Sequence, residues 1–246
     1  MAVAKLDWRN WKRVLVVVAH PDDAEYGLSG AVQLWTRHGI EVDYLLLTHG
    51  EAGMQCSPEE AAALRAREQR AACDCVGVNE LVMLRYPDGH LMPSIELRRD
   101  IARQIRRLKP DVVITANYEQ EAYGTLNQSD HRVAGVAALD AARDAANRWS
   151  HRELLEVEGH EPHTADLLLV AAPSDPTHVV EVDDEAVAAA IASLACHEAY
   201  LGDLVDYPTP TEVVNFALSA AAEFSEVERG VSFRVFGLGG QPEVMP

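Results

Sequence analysis

The chain has 246 residues, 48% of them hydrophobic, and a formal net charge of −18 at pH 7, enough apolar material for one large α/β domain or at most two small ones. So acidic a surface repels phosphate backbones and anionic lipid headgroups, which excludes nucleic acid as a partner and a polybasic membrane anchor. No apolar run reaches about 18 residues, and Met1 to Trp11 lacks the apolar core of a signal peptide, so there is no integral membrane association and a cytoplasmic setting is expected.

Arg13 to Ala19 reads as a buried strand, followed by a helix from Ala24 to His38 with Gly39 as its stop. Glu41 to Thr48 is a second strand, ending in the loop His49-Gly50-Glu51-Ala52-Gly53. Ser57-Pro58-Glu59-Glu60 combines a cap, a proline at the first helical position and a capping-box glutamate, and starts a helix that runs to Val76 and stops at Gly77. Leu81 to Leu84 is a third strand, Tyr86-Pro87-Asp88-Gly89 a turn, Ile95 to Leu108 a helix, and Asp111 to Ala116 a fourth strand. A polar stretch without a period runs from Asn117 to Ser129, and loops of that length are often functional. Beyond it come an alanine-rich helix from Asp130 to Asn147, short strands at Leu167 to Ala171 and Val179 to Val182, helices from Asp184 to Tyr200 and Thr211 to Glu226, and a strand from Ser232 to Phe236.

Strand-helix alternation implies parallel pairing through right-handed crossovers. The expected fold is α/β, a single Rossmann-like domain with a mostly parallel sheet flanked by helices. Residues 13–150 form its motif-bearing core and residues 151–246 an extension of the same domain. The four cysteines, Cys56, Cys73, Cys75 and Cys196, form no CxxC pair and read as buried, reduced thiols.

The chemistry gathers at strand ends, the edge where open α/β sheets bind ligands. The first such loop holds His20, Asp22 and Asp23; the second holds Thr48, Gly50 and Glu51; the third leads to Gln128, Asp130 and His131. His20, Asp23 and His131 make a set of two histidines and one carboxylate, sufficient for one catalytic Zn2+ with a position left open for water. Asp22 would then be the base for that water. Asp130 has two readings, a carboxylate that orients a ligand histidine and a simple helix cap. Arg65 and Glu68, three apart on a helix, also suit a surface ion pair. The remaining histidines, His197 among them, are read as structural.

His20-Pro21-Asp22-Asp23 after its apolar strand resembles the signature of the LmbE-like, PIG-L-type de-N-acetylases. Thr48 to Gly53, Arg65 with Glu68, Asp88-Gly89 with Leu91, Lys109 to Val113, and Ser129-Asp130-His131-Arg132 resemble further motifs of that family, in the same order. The resemblance spans Arg13 to Ala146 and is weaker from Thr177 to Tyr200. It implies a Rossmann-like fold, zinc on His20, Asp23 and His131, Asp22 as general base, and Arg65 and Asp88 against a sugar-like substrate. Glu51, in the second motif, divides between a substrate contact and a plain loop residue. Many relatives carry a histidine three positions before the last ligand, where this chain has Gln128. A glutamine amide donates a hydrogen bond but carries no charge, which leaves it as a neutral donor to the oxyanion, a substrate contact or a loop residue.

The expected activity is zinc-dependent removal of an acetyl group from an N-acetylglucosamine-type amide, the partner being a small-molecule N-acyl sugar. Family substrates also include inositol- and malate-linked amino sugars, chitin fragments, antibiotic-like glycosides and thiol conjugates. Two readings compete. A nucleotide-binding oxidoreductase suits the strand-helix start, but the first strand-end loop has no GxGxxG and its two aspartates repel a pyrophosphate. A non-catalytic metal-binding relative is opposed by the intact His20, Asp22, Asp23 and His131. A homo-oligomer is compatible with the sequence, which carries no signal for or against it.

Overall fold

A computed structural model describes residues 3–239 of the chain. Ten strands and eight helices follow in order: β1 (Ala4–Lys5), β2 (Arg13–Val18), α1 (Ser29–Arg37), β3 (Glu41–Leu46), α2 (Pro58–Val76), β4 (Glu80–Met83), α3 (Ile95–Leu108), β5 (Val112–Ala116), β6 (Glu121–Ala122), β7 (Thr125–Leu126), α4 (Ser129–Ala146), α5 (Arg152–Glu156), β8 (Leu167–Ala171), β9 (His178–Glu181), α6 (Asp184–Ala195), α7 (Glu198–Asp203), α8 (Pro210–Ser219) and β10 (Gly230–Gly237).

Eight strands form one sheet in the order β1-β9-β10-β8-β5-β2-β3-β4. The run β8-β5-β2-β3-β4 is parallel throughout, and β10 is antiparallel to both of its neighbours. Val14, Val16 and Val18 of β2 pack toward α1, α6 and α8, while Leu15 and Val17 pack toward α3 and α4. Both faces are therefore covered, which is why the strands read as unbroken apolar runs rather than alternating ones. The chain leaves β2 toward β3 and β4, then returns to place β5 on the other side of β2. That reversal opens a crevice beyond the carboxyl ends of β2 and β5; the loop after β2 carries His20, and the segment after β5 leads to α4, whose first turn carries His131.

The capping box of α2 is present, with Glu60 N–H donating to the Ser57 hydroxyl. Five expectations are corrected. The helix expected from Ala24 begins at Ser29, because Asp22 adopts φ 81° and its carbonyl accepts from Glu25 and Tyr26 N–H, winding residues 21–28 into turns. The helix expected from Asp184 to Tyr200 is two helices that break at Cys196-His197, and the one expected to reach Glu226 ends as α8 at Ser219, followed by a tighter turn, Ala220–Glu223. The polar loop contains the β6–β7 hairpin. Of the cysteines expected to be buried, Cys73 is, whereas Cys56 and Cys75 are exposed. Among the described residues no helix is long and apolar enough to cross a membrane.

Candidate active site

Past the end of β2 the backbone N–H groups of Ala19 and His20 both donate to Asp23 Oδ2, at 3.0 and 2.9 Å. This leaves Asp23 Oδ1 3.6 Å from His20 Nδ1 and 3.1 Å from His131 Nε2. His131 comes from the first turn of α4, across the crevice. One donor atom from each of His20, Asp23 and His131 lies within 4.8 Å of the other two.

The outward nitrogen of each ring is braced. His20 Nε2 lies 3.0 Å from Asp88 Oδ1 and 3.4 Å from Asp130 Oδ2. Carboxylates only accept, so this nitrogen carries its proton, and Nδ1, which faces Asp23 and His131, is the nitrogen that becomes a donor to a cation once its own proton is displaced. Asp130 is itself held by Gly89 and Leu91 N–H at 2.8 and 3.2 Å. His131 Nδ1 lies 3.0 Å from Asn127 Oδ1, and the Asn127 amide donates to the carbonyls of Asn117 and Glu119. Ligand histidines in metal sites are fixed in this way, by an acceptor on the far nitrogen. The donor set therefore fits a cation such as zinc.

The electrostatics agree. Burial pulls the His20 pKa down, but Asp23, Asp130 and Asp88 outweigh it and carry the group up to about 12. Burial raises the Asp23 carboxyl, yet the charges of His131 and His20 hold it well below the usual carboxylate range. The crevice is a well of negative charge in which the imidazoles hold protons that a cation would displace.

Asp22 sits beside this set. Its φ of 81° costs a non-glycine residue about 1–2 kcal/mol, a strain of the kind found at functional sites. Its Oδ1 lies 3.1 Å from Arg65 Nη2, while Oδ2 is buried without a hydrogen-bond partner. Burial pushes the carboxyl up to about 7, against the pull of Arg65 and with the help of Asp23.

Of the residues expected at the substrate, Arg65 and Asp88 line the cleft, and these two and Glu51 also have partners within the protein. Arg65 is 3% exposed and is no surface ion pair with Glu68. It donates to Pro21 O at 2.7 Å and Gly50 O at 3.0 Å, with the Tyr200 ring 3.9 Å from its Cζ. Glu68 Oε1 accepts from Ala199 N–H instead. Asp88 faces His20 through Oδ1 and accepts from Ala52 N–H through Oδ2. Glu51 accepts from Asp88 and His49 N–H and ties two loops together. Gln128 is exposed at the N-cap of α4, makes no capping bond, and lines the cleft. Sequence reasoning missed Tyr26, Tyr200, Asn127 and Gln69. The tyrosines lie in segments read only as helix, and no local pattern marks a residue that meets its partner across the fold.

The cleft, about 140 Å³, is walled by Asp22, Asp23, His20 and His131 on one side and by Tyr26, Tyr200 and Gln128 around its rim. A larger hollow of about 490 Å³ at Val3, Asp175 and Glu223 is lined by no histidine.

A partly buried triad that could hold a cation, beside a carboxylate with one unpartnered oxygen, at the crevice of a parallel sheet, has the layout of a metal-dependent hydrolase site. Residues 15–142, just over half of the chain, match the family model PIG-L, described as GlcNAc-PI de-N-acetylase, and the chain belongs to this family of de-N-acetylase hydrolases. It is 30% identical over 191 residues to the diacetylchitobiose deacetylase of Thermococcus kodakarensis, a match covering 74% of this chain and 70% of that protein. It is 32% identical over 142 residues to a probable N-acetyl-alpha-D-glucosaminyl L-malate deacetylase 2 of Bacillus anthracis, covering 54% of this chain and 60% of that one. Its fold superposes on N,N'-diacetylchitobiose deacetylase from Pyrococcus horikoshii with a TM-score of 0.83 at 22% identity, over 94% of this chain and 85% of the other.

Proposed function

We propose that the protein is a zinc-dependent deacetylase that releases acetate from the amide nitrogen of N-acetylglucosamine-type small molecules in the cytoplasm. The observation that carries this reading is the convergence of His20, Asp23 and His131 within 4.8 Å next to Asp22 with its unpartnered Oδ2. Residues 13–150 supply the site and residues 151–239 complete the same unit, a division supported by β8, β9 and β10 joining the sheet.

His20 through Nδ1, Asp23 through Oδ1 and His131 through Nε2 would hold the metal, with Asp88, Asp130 and Asn127 setting the rings. The chemistry a zinc ion would supply there is polarisation of the amide carbonyl and a bound water with a pKa of about 7. Asp22 takes a proton from the attacking water and returns it to the leaving amine, a shuttle that works best with a pKa near the working pH. Arg65, on Oδ1 of Asp22, fixes the carboxylate and leaves Oδ2 for the proton. The Gln128 amide, at the rim, donates to the oxyanion as a neutral group.

The test is acetate release from N,N'-diacetylchitobiose and N-acetylglucosamine by zinc-loaded protein, with thiol conjugates and antibiotic-like glycosides as further arms. Loss of a general base typically costs about a hundred- to ten-thousandfold, so Asp22→Asn should bind zinc and lose activity on that scale. Full activity in that variant removes Asp22 from the role. A zinc-loaded wild type inert on every N-acetyl substrate leaves a non-catalytic metal-binding relative.

A further inference from the structure

Asp22 sits in a backbone conformation that the chain does not favour. Arg65 holds its carboxylate and the N–H groups of Glu25 and Tyr26 hold its carbonyl, while its own N–H is held by a side chain from another element. Gln69, on the buried face of α2 and 1% exposed, accepts the Asp22 backbone N–H on its Oε1 at 2.9 Å. The same amide donates through Nε2 to Glu25 Oε1 at 3.1 Å, so its orientation is fixed by both ends. Glu25 is fully buried, and its Oε2 lies 3.7 Å from Nε2 of the equally buried His197. His197 stands in the break between α6 and α7. A chain of buried polar groups thus runs from the strained backbone of Asp22 through Gln69 and Glu25 to a helix junction behind the cleft.

We propose that Gln69 is a positioning residue for the reaction: its amide clamps the left-handed turn at Asp22, and Glu25 anchors that amide. The proposal rests on Asp22 being the base. The physical reason is direct. A residue at φ 81° relaxes toward the ordinary negative-φ regions when nothing resists it, and rotation about its backbone swings the carboxylate away from the cleft. The triad is held by a different set of bonds, Asp23 to Ala19 and His20 N–H and the two braced rings, so it does not depend on Gln69. Loss of the clamp should therefore separate catalysis from metal binding. A purely structural core amide would not make that separation.

The experiment measures kcat, KM, bound zinc and Tm for zinc-loaded wild type, Gln69→Leu and Gln69→Asn. A misplacement of about 1 Å at a reacting group costs on the order of a hundredfold in rate. The expected result is a kcat lower by that order in Gln69→Leu, with KM and zinc stoichiometry as in wild type. Gln69→Asn keeps an amide in the core but withdraws it from the Asp22 N–H, so it should show the same split even where the leucine variant fails to fold. A kcat within about twofold of wild type in the folded variant, or a loss that follows zinc content or folded fraction, overturns the proposal. Inactivity of the wild type itself is a different outcome: it overturns the deacetylase reading, and this proposal falls with it.

Discussion

Replacing Gly50 with alanine tests how tightly the loop after β3 is locked to Arg65. Two costs fall on this position and can be separated. Gly50 has φ +64°, a region that costs an L-residue about 1–2 kcal/mol. In addition, a Cβ there would lie 2.2 Å from Arg65 Nη1 and 2.7 Å from Cζ. An exposed arginine would swing aside, but this one is pinned by Pro21 O, Asp22 and the Tyr200 ring and has nowhere to go. Displacing it forfeits hydrogen bonds to charged groups worth about 1.5–3 kcal/mol, so the total is roughly 2.5–5 kcal/mol. At about 2–4 °C per kcal/mol for a chain of this size, Tm should drop by roughly 5–20 °C. Gly39→Ala is the control: its φ is +85°, but nothing lies within 4 Å of the added Cβ, so it should lose only about 2–8 °C. The assay is thermal unfolding of both variants with acetate release at a permissive temperature. Gly50→Ala should also lose on the order of tenfold or more in kcat, because Arg65 no longer fixes Asp22, while Gly39→Ala keeps wild-type kcat. Equal effects of the two substitutions on Tm and kcat would refute the wedge argument.

Gln128→Ala should lower kcat by up to about a hundredfold, the lower range for an oxyanion donor, without changing zinc content; loss of zinc would point to a structural role. Zinc affinity should rise with pH. Against the pull of burial, Asp23, Asp130 and Asp88 raise the His20 pKa to about 12 and Asp23 raises that of His131 as well, so protons compete with a cation for the ligand imidazoles. Displacing each proton contributes up to about tenfold in affinity per pH unit, so chelator competition across roughly pH 6 to 8 should show a steep slope, and a flat one would mean that the imidazoles are already neutral. Charge selectivity follows from Arg65 being engaged and buried while Asp22, Asp23 and Asp88 line the cleft. A neutral substrate such as N,N'-diacetylchitobiose should have at least about tenfold higher kcat/KM than a malate-linked amino sugar, a like-charge penalty of roughly 1.4 kcal/mol; equal values would show that the anion is met outside the cleft.

The parallel strands were legible because a strand buried on both faces is a continuous apolar run, as in Val14 to Val18. The helix starts at Ser57 and the turn at Asp88-Gly89 were legible because caps and turns are local chemistry. The late start of the first helix at Ser29 and the break at Cys196-His197 were not, because helical spacing covers residues 24–28 and continues through Cys196-His197, and nothing local marks the turns that replace it. Gln69, Glu25 and His197 read as ordinary helix residues, since a buried polar group shows its purpose only when its partner is known.

By itself, the sequence determined what could be done: a histidine and two aspartates at a strand end, and a second histidine at the start of a distant helix, are donors whose identity does not depend on folding. The tertiary structure alone decided how they are arranged. It assigned His20 Nε2 to Asp88 and Asp130, turned Arg65 inward to Asp22, and closed the Asp22 turn with Gln69. Those assignments are distances across the fold, between strand-end loops and from helix α2 and the start of α4 to those loops, and no spacing along the chain encodes them.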